Sequence, residues 1–347
     1  MANTKAYAAY SPDQPLRPFE FDRREIQPHD VQIDIKYCGV CHSDVHRARG
    51  EWNGTHFPLV PGHEIVGVVR AVGNHVKKFN PGDLAAVGVI VDSCRECHVC
   101  NQHMEQYCVE GPTGTYNAMA RDKSGYTRGG YSTQRVVDER FVYHISDQLD
   151  LKAVAPLLCA GITTYSPLKY AGITPDMKVG VAGLGGLGHM GVKFAVAFGA
   201  EVTLISHTPS KEADAKRLGA HKFLLSTDVD QMKAHESYFD IVLNCISAQH
   251  DYKKYLDLLG LNGKMLLVGL PPENPKVDPF ALIKNRRTIL GSMIGGTVET
   301  QEMLDFCARH NIVSDIELIP IQKIDEAYDR MVKGDVRYRF VIDMSTL

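Results

Sequence analysis

Hydrophobic and polar positions alternate in short runs along the first 150 residues. Two clear runs, at residues 31–37 and 65–72, are separated by segments rich in glycine, proline, histidine and cysteine. This pattern is typical of short strands joined by turns. The sequence therefore predicts a mostly β domain in this part of the chain.

Between about residue 154 and residue 295 the pattern changes to an alternation of apolar strands and helices. Repeated strand–helix–strand units predict right-handed βαβ crossovers and a parallel sheet. Six strands are predicted, at residues 179–183, 202–206, 223–225, 241–245, 265–269 and 288–291.

The tail, residues 297–347, contains an amphipathic segment with Met303, Leu304 and Cys307. Strand-like segments follow at 315–320 and 339–343. Periodicity does not say which domain the tail packs against.

The first strand of the predicted parallel sheet leads into a glycine motif, G-x-G-x-x-G, formed by Gly183, Gly185 and Gly188. The first glycine permits a tight turn, the second a close approach of a pyrophosphate, and the third close packing of helix on strand. Apolar residues then recur at helical spacing and stop at Gly199. The free N–H groups at the start of such a helix bind anions, so the motif predicts a dinucleotide site.

Composition narrows the function classes. The chain has 347 residues, of which 44% are hydrophobic and 23% charged, and its formal charge is -3. This length predicts two domains, and the charge gives no reason to expect a nucleic-acid or anionic-membrane partner. The first ten residues do not resemble a secretory signal, and no apolar run is long enough to span a bilayer. We therefore expect a cytoplasmic protein.

Nine cysteines, an odd number, argue against a pure disulfide framework. Four of them fall within 15 residues in the spacing C-x2-C-x2-C-x7-C, at Cys94, Cys97, Cys100 and Cys108. Four thiolates on a short loop suit a closed, structural zinc site. An iron–sulfur cluster is disfavoured because Val109, not proline, follows the last cysteine. A nucleic-acid module is also disfavoured, because Arg95 is the one cation among residues 92–110. Unligated or disulfide-paired thiols remain the alternative.

A second, open metal site is suggested by Cys41, His63 and Cys159. A catalytic zinc takes three protein ligands and keeps one position open, and two cysteines with one histidine are an accepted set. The scattered spacing does not establish the site, and an isolated cysteine such as Cys159 is more often a small core residue.

Together these motifs resemble a known family. The run from Gly62 through His63 and Glu64 to Gly73 resembles the zinc alcohol dehydrogenase signature of the medium-chain dehydrogenase/reductase superfamily. The segments at 37–44, 158–165 and 291–295, with the four-cysteine lobe, resemble its cinnamyl alcohol dehydrogenase branch. The resemblance runs in order along nearly the whole chain.

The resemblance implies a role for each residue of the open site. Cys41, His63 and Cys159 bind the catalytic zinc, and Glu64 is a transient or exchanging ligand. Asp44 orients the zinc-bound imidazole, although a simple turn aspartate is the alternative. Ser43 and His46 relay the proton between substrate and solvent by way of the nicotinamide ribose.

The family also implies the cofactor contacts, and the strand after the glycine loop indicates which nucleotide binds. An NAD site usually carries an acidic residue at that strand end, but residues 205–211 contain none. Ser206 and Thr208 leave room for a 2′-phosphate and Lys211 can neutralise it, which predicts NADP(H); a solvated loop in a tolerant NAD site is the alternative. The remaining cofactor positions implied by the family are His42, Thr163, Gly183, Leu184, Gly185, Gly186, Leu187, Gly188, Val268, Gly269, Leu270, Ser292 and Ile294.

The resemblance implies an α/β fold of two domains: a GroES-like, mostly β catalytic domain at 1–153 and 297–347, and a Rossmann domain with a doubly wound six-stranded parallel sheet at 154–296.

We predict a zinc-dependent, NADP(H)-linked alcohol dehydrogenase or aldehyde reductase. Its substrates would be primary alcohols and aliphatic or aromatic aldehydes, in a pocket near Trp52, Met293 and Ile294. The alternatives are an NAD-dependent polyol or threonine-type dehydrogenase and, remotely, a non-catalytic zinc-stabilised binding protein. Superfamily members commonly pair through the last sheet strand, so we expect a homodimer.

Overall fold

The alternating segments of the first 150 residues form strands. The computed structural model describes residues 2–347. Within the first 150 residues, buried Val31, Ile33 and Ile35 alternate with more exposed neighbours along one long strand, as the pattern predicts. The elements are β1 (Ala2–Ala8), β2 (Arg17–Arg23), β3 (Asp30–Gly39), α1 (His42–Ala48), β4 (Ile65–Val72), β5 (Leu84–Val87), β6 (Ile90–Asp92), β7 (Thr113–Gly114), β8 (Gln134–Asp138), β9 (Tyr143–His144) and α2 (Leu151–Val154).

The middle of the chain forms the predicted parallel sheet. Its elements are α3 (Ala160–Tyr170), β10 (Lys178–Ala182), α4 (Gly188–Ala197), β11 (Glu201–Ser206), α5 (Lys211–Arg217), β12 (Lys222–Leu225), α6 (Val229–Ala234), β13 (Phe239–Asn244), α7 (Tyr252–Leu256), β14 (Leu259–Leu267), α8 (Pro279–Ile283) and β15 (Thr288–Gly291). The six strands are all parallel, in the order β12-β11-β10-β13-β14-β15. This is the doubly wound order of dinucleotide-binding folds, so the predicted α/β class is confirmed.

The tail adds α9 (Thr297–His310), β16 (Ile316–Pro320), α10 (Ile324–Val332) and β17 (Arg339–Asp343). Met303, Leu304 and Cys307 are buried, as the amphipathic pattern of this segment predicts. Strand β17 pairs antiparallel with β3, with Val341 opposite Gly39. This pairing completes a seven-stranded sheet of β16, β17, β3, β4, β5 and β9, with β8 also on β3.

The chain divides into two compact units. One comprises the residues up to Cys159 together with Gly295–Leu347, and the other is Ala160–Ile294. The first division therefore follows Cys159, whereas the sequence analysis placed it after residue 153. A buried 3-10 turn, Ala155–Leu158, packs against β3, β4 and β5 and so carries Cys159 into the first unit.

Among residues 2–347, no helix combines the length and the apolar character that crossing a bilayer requires.

Candidate active site

The open site is built where β3 ends and α1 begins. Cys41 caps the N-terminus of α1, and its backbone N–H donates to Asp44 Oδ2 at 3.0 Å. The other carboxylate oxygen, Asp44 Oδ1, accepts from the backbone N–H of Gly62 at 3.0 Å and lies 3.1 Å from His63 Nδ1. One buried carboxylate therefore joins the helix start to the loop that precedes β4.

Four possible metal ligands meet at this point: Cys41, His63, Glu64 and Cys159 each offer an atom, and these atoms lie within 4.8 Å of one another. The two sulfur atoms are 3.8 Å apart. Two thiolates bound to one tetrahedral zinc, with Zn–S near 2.3 Å, lie about 3.8 Å apart. The donor set and its spacing therefore fit zinc.

The members of this cluster shift one another's pKa values. The hydrogen bond with Cys159 lowers the pKa of Cys41, so that a thiolate forms readily. Burial alone would lower the pKa of His63, but the Asp44 carboxylate and Cys41 outweigh burial and raise it. Because Asp44 faces Nδ1, it is Nε2 of His63 that remains to bind a metal.

Glu64 forms a buried ion pair that the sequence analysis did not foresee. Its Oε1 atom accepts from Arg339 Nη2, and the same nitrogen donates to the carbonyl oxygen of Val40 at 2.8 Å. The second oxygen, Oε2, is buried without a hydrogen-bond partner. Burial raises the pKa of Glu64 to about 7, although the charge of Arg339 opposes this shift. An unpartnered buried oxygen within the ligand cluster is a further sign that the cluster suits a cation.

Gly39 makes room for this carboxylate. A Cβ atom at residue 39 would lie 1.9 Å from Glu64 Oε2. The glycine between Cys38 and Val40 is therefore required by the position of Glu64.

The candidate proton-relay residues lie on α1 beside the ligand cluster. Ser43 Oγ is 3.7 Å from Cys41 Sγ. His46 Nδ1 bonds to the carboxylate of Glu51, and its ring stacks on Trp52 with 5.1 Å between ring centres. Trp52 thus packs against the candidate relay histidine, and the sequence patterns made no prediction for Glu51. His42 is exposed at the start of the same helix.

The cysteine lobe is a second, separate ligand cluster. The sulfur atoms of Cys94, Cys97, Cys100 and Cys108 lie within 4.8 Å of one another, and those of Cys94 and Cys100 are 3.8 Å apart. Backbone N–H groups donate to the sulfurs: Cys94 to Cys108 at 3.4 Å, and Cys97 to Cys94 at 3.3 Å. Four converging thiols with N–H···S bonds fit a closed tetrahedral zinc site.

Two arginines support the lobe. Arg121 Nη2 lies 3.8 Å from Cys108 Sγ and donates to the carbonyl oxygen of Gly111 at 2.6 Å. Arg95 bonds to Asp92 at 2.8 Å and to Asp138 on β8 at 2.7 Å. Both guanidinium groups therefore form hydrogen bonds within the protein.

In the second unit, the glycine motif joins β10 to α4. Gly183 has φ +91°, a conformation that favours glycine. A Cβ atom at Gly188 would lie 1.9 Å from the Gly183 carbonyl oxygen, so this position requires glycine. A Cβ atom at Gly185 would meet no atom within 4 Å. The loop thus packs tightly at its ends and is open at Gly185, as a pyrophosphate site requires.

Strand β11 ends at Ser206, which is buried and accepts from the Thr208 backbone N–H at 3.1 Å. Lys211 begins α5 directly afterwards. No acidic side chain occurs between residues 206 and 211.

The other predicted cofactor positions follow later strands of the same sheet. Strand β14 is followed by Val268, Gly269 and Leu270, and strand β15 by Ser292 and Ile294, so both groups lie at the carboxyl edge of the sheet that carries the glycine loop. Thr163 is half-buried on α3.

Comparisons with known proteins agree with this geometry. Residues 27–147 match the alcohol dehydrogenase GroES-like domain, and residues 186–309 match the zinc-binding dehydrogenase domain. The aldehyde reductase YahK of Escherichia coli (strain K12) is 55% identical over 99% of both chains. The chain belongs to the zinc-containing medium-chain dehydrogenase/reductase superfamily, in its cinnamyl alcohol dehydrogenase-like branch.

Solved members of the superfamily share the whole fold. A cinnamyl alcohol dehydrogenase of Sorghum bicolor superimposes with a TM-score of 0.95 at 41% identity, covering 99% of this chain and 98% of the other. An enzyme of Helicobacter pylori, solved as a complex with NADP(H), superimposes with a TM-score of 0.92 at 44% identity over the same shares. The GroES-like domain and the Rossmann sheet predicted from the sequence are therefore confirmed.

Proposed function

We propose that this chain is a zinc-dependent, NADP(H)-linked alcohol dehydrogenase and aldehyde reductase. It interconverts primary alcohols with aliphatic or aromatic, cinnamyl-type aldehydes by hydride transfer. One observation carries the proposal: ligand atoms of two cysteines, a histidine and a buried glutamate lie within 4.8 Å of one another. The glycine loop of the second unit, with no acidic side chain at the end of the next strand, supports NADP(H) as the cofactor.

Cys41, His63 and Cys159 would hold the catalytic zinc, and Cys94, Cys97, Cys100 and Cys108 the structural one. The catalytic metal, when bound, supplies a Lewis acid that polarises the substrate oxygen. Asp44 fixes the tautomer of His63 and holds its ring in place. Glu64 is a reserve ligand, and Arg339 balances its charge.

Ser43 and His46 move the proton. The Ser43 hydroxyl, beside Cys41 Sγ, gives its proton to the substrate oxygen during reduction and is reprotonated by the proton that His46 delivers; during oxidation the proton passes in the opposite direction. His46 is partly exposed, so it can exchange the proton with solvent. Glu51 holds the ring of His46 in place through Nδ1.

NADP(H) supplies or accepts the hydride. Residues 183–188 bind its pyrophosphate at the start of α4, and Ser206, Thr208 and Lys211 bind its 2′-phosphate. The other contacts follow those of the family, at His42, Thr163, Val268, Gly269, Leu270, Ser292 and Ile294.

The protein would act as a homodimer in the cytoplasm. Strand β15 is the last strand of the parallel sheet, and its outer edge can pair with a second copy. Phe280 and Ile283 of the same unit expose 66% and 71% of their surface, which a second copy could cover. A reducing compartment suits two sites that depend on free thiols. Light scattering of the purified chain tests the dimer.

The proposed activity is tested by following NADPH consumption with a panel of aliphatic and aromatic aldehydes, and repeating the assay with NADH. We expect aldehyde-dependent oxidation of NADPH and at least tenfold lower kcat/KM with NADH, as about 1.4 kcal/mol of lost phosphate binding would give. No turnover of any aldehyde or alcohol by protein that holds two zinc ions per chain would refute the proposal.

A further inference from the structure

His189 is a buried titratable residue that the proposed mechanism does not use. It lies in the first turn of α4, immediately after Gly188, and its exposed fraction is 0%. A polar ring removed from water is costly unless it forms hydrogen bonds, so its partners indicate its purpose.

The backbone nitrogen and the Nδ1 atom of His189 both form a hydrogen bond with the same atom of the glycine loop. The carbonyl oxygen of Gly185 lies 3.1 Å from the His189 backbone nitrogen and 3.1 Å from its Nδ1. A carbonyl oxygen only accepts hydrogen bonds, so Nδ1 carries the hydrogen and donates it. The carbonyl of Gly185 is therefore held from two directions.

This contact also fixes the orientation of the peptide group between Gly185 and Gly186. In a planar trans peptide the C=O and the following N–H point in opposite directions. Because the Gly185 carbonyl points into α4, the N–H of Gly186 points out of the helix start, where an anion binds. Both flanking residues are glycines, so without an external bond this peptide could rotate at low cost.

We propose that His189 is a positioning residue for the cofactor: its imidazole locks the peptide between Gly185 and Gly186 with the N–H directed at the pyrophosphate. This inference rests on the proposed NADP(H) function. In this role His189 keeps the loop rigid and does not itself contact the cofactor.

The test compares two amide variants of the zinc-loaded protein. In His189→Asn the amide nitrogen occupies the place of Nδ1, whereas in His189→Gln it occupies the place of Nε2. We expect His189→Asn to bind NADPH within about twofold of the unmodified protein. We expect His189→Gln to raise the Kd for NADPH about tenfold, as the loss of one buried hydrogen bond would give. Fluorescence titration of NADPH measures both constants.

A second ligand distinguishes loop rigidity from general damage. Adenosine 2′-monophosphate contains the adenosine and the 2′-phosphate but lacks the pyrophosphate, so its Kd should stay within about twofold in both variants. At saturating NADPH, kcat should also change by less than about twofold. Should His189→Gln not fold, His189→Leu removes the same donor and carries the same expectation.

Three results would overturn the inference: unchanged NADPH binding in His189→Gln, equal weakening of NADPH by the Asn and Gln variants, or equal weakening of NADPH and adenosine 2′-monophosphate. Failure of the proposed function gives a different result, because then the unmodified protein itself would turn over no aldehyde or would bind no NADPH.

Discussion

The carboxylate of Asp44 lies 3.1 Å from Nδ1 of His63, and both side chains are buried. The same carboxylate accepts hydrogen bonds from the backbone N–H groups of Cys41 and Gly62. One side chain thus orients a candidate zinc ligand and fixes the two backbone segments that carry Cys41 and His63.

Replacing Asp44 by asparagine should therefore weaken the catalytic zinc site. An amide has a single oxygen, so it loses either the bond to Cys41 or the bonds to Gly62 and His63, and it has no charge to support the imidazole; we therefore expect a 10- to 100-fold lower zinc affinity. Competition with a chelator, followed by metal analysis, should find about one zinc per chain, that of the cysteine lobe. Asp34→Asn, at a half-exposed carboxylate on β3, is the control and should retain two. Two chelator-resistant zinc ions in Asp44→Asn would contradict the assignment.

Arg121 should slow the loss of zinc from the cysteine lobe. Four thiolates around Zn²⁺ carry a net charge of -2, and the guanidinium lies 3.8 Å from Cys108 Sγ. We expect Arg121→Gln to release this zinc about three to ten times faster at low salt, and the difference to shrink at high salt. A chromogenic chelator measures the release. Arg70→Gln, which removes an exposed arginine of the same unit, should have no effect. Equal release rates for both variants would refute the role of Arg121.

An acidic residue at position 206 should change the preferred cofactor. In Ser206→Asp the carboxylate would repel the 2′-phosphate and accept hydrogen bonds from the ribose of NADH. We expect kcat/KM for NADPH to fall about 100-fold and that for NADH to rise. Lys211→Gln should lower kcat/KM for NADPH by about tenfold without improving NADH, because it removes only the cation. An unchanged NADPH to NADH ratio in Ser206→Asp would exclude this strand end as the phosphate site.

Glu51 should support proton transfer through His46. Glu51→Gln keeps the shape but replaces a charged hydrogen-bond acceptor by an amide, which holds the His46 ring less firmly, so we expect kcat to fall about tenfold, with a larger solvent isotope effect and an unchanged zinc content. Glu20→Gln, on exposed β2, is the matched control. If kcat and the isotope effect stay the same in Glu51→Gln, the relay does not depend on this residue.

The sequence predicts the parallel sheet well because its signals are local. A buried parallel strand is a continuous apolar run, and the glycine motif marks where β10 meets α4. The spacing of the four lobe cysteines is local as well. The cysteine at position 159 is different: 118 residues separate it from Cys41, and only the family resemblance brought it to the site.

Two site residues escaped the sequence analysis for a physical reason. Arg339 meets Glu64 across 275 positions because β17 pairs with β3, and hydrophobic alternation does not specify which distant strands pair. Glu51 lies five residues after His46, so a nearby acid was visible in the sequence. Its contact depends on the turn after α1, however, which periodicity does not predict.

The assignment of Cys41, His63 and Cys159 as a catalytic metal site is tested by the Cys159→Ser variant. Its rate of NADPH-dependent aldehyde reduction and its zinc content are measured together. We expect one zinc per chain, unchanged NADPH binding, and a rate lower by about a thousandfold or more, as the loss of several kcal/mol of charge stabilisation requires. Cys307→Ser, at a buried thiol outside both ligand clusters, should keep two zinc ions and the normal rate. Reduction of aldehydes at the unmodified rate by Cys159→Ser with one zinc per chain would show that this cluster is not the catalytic metal site.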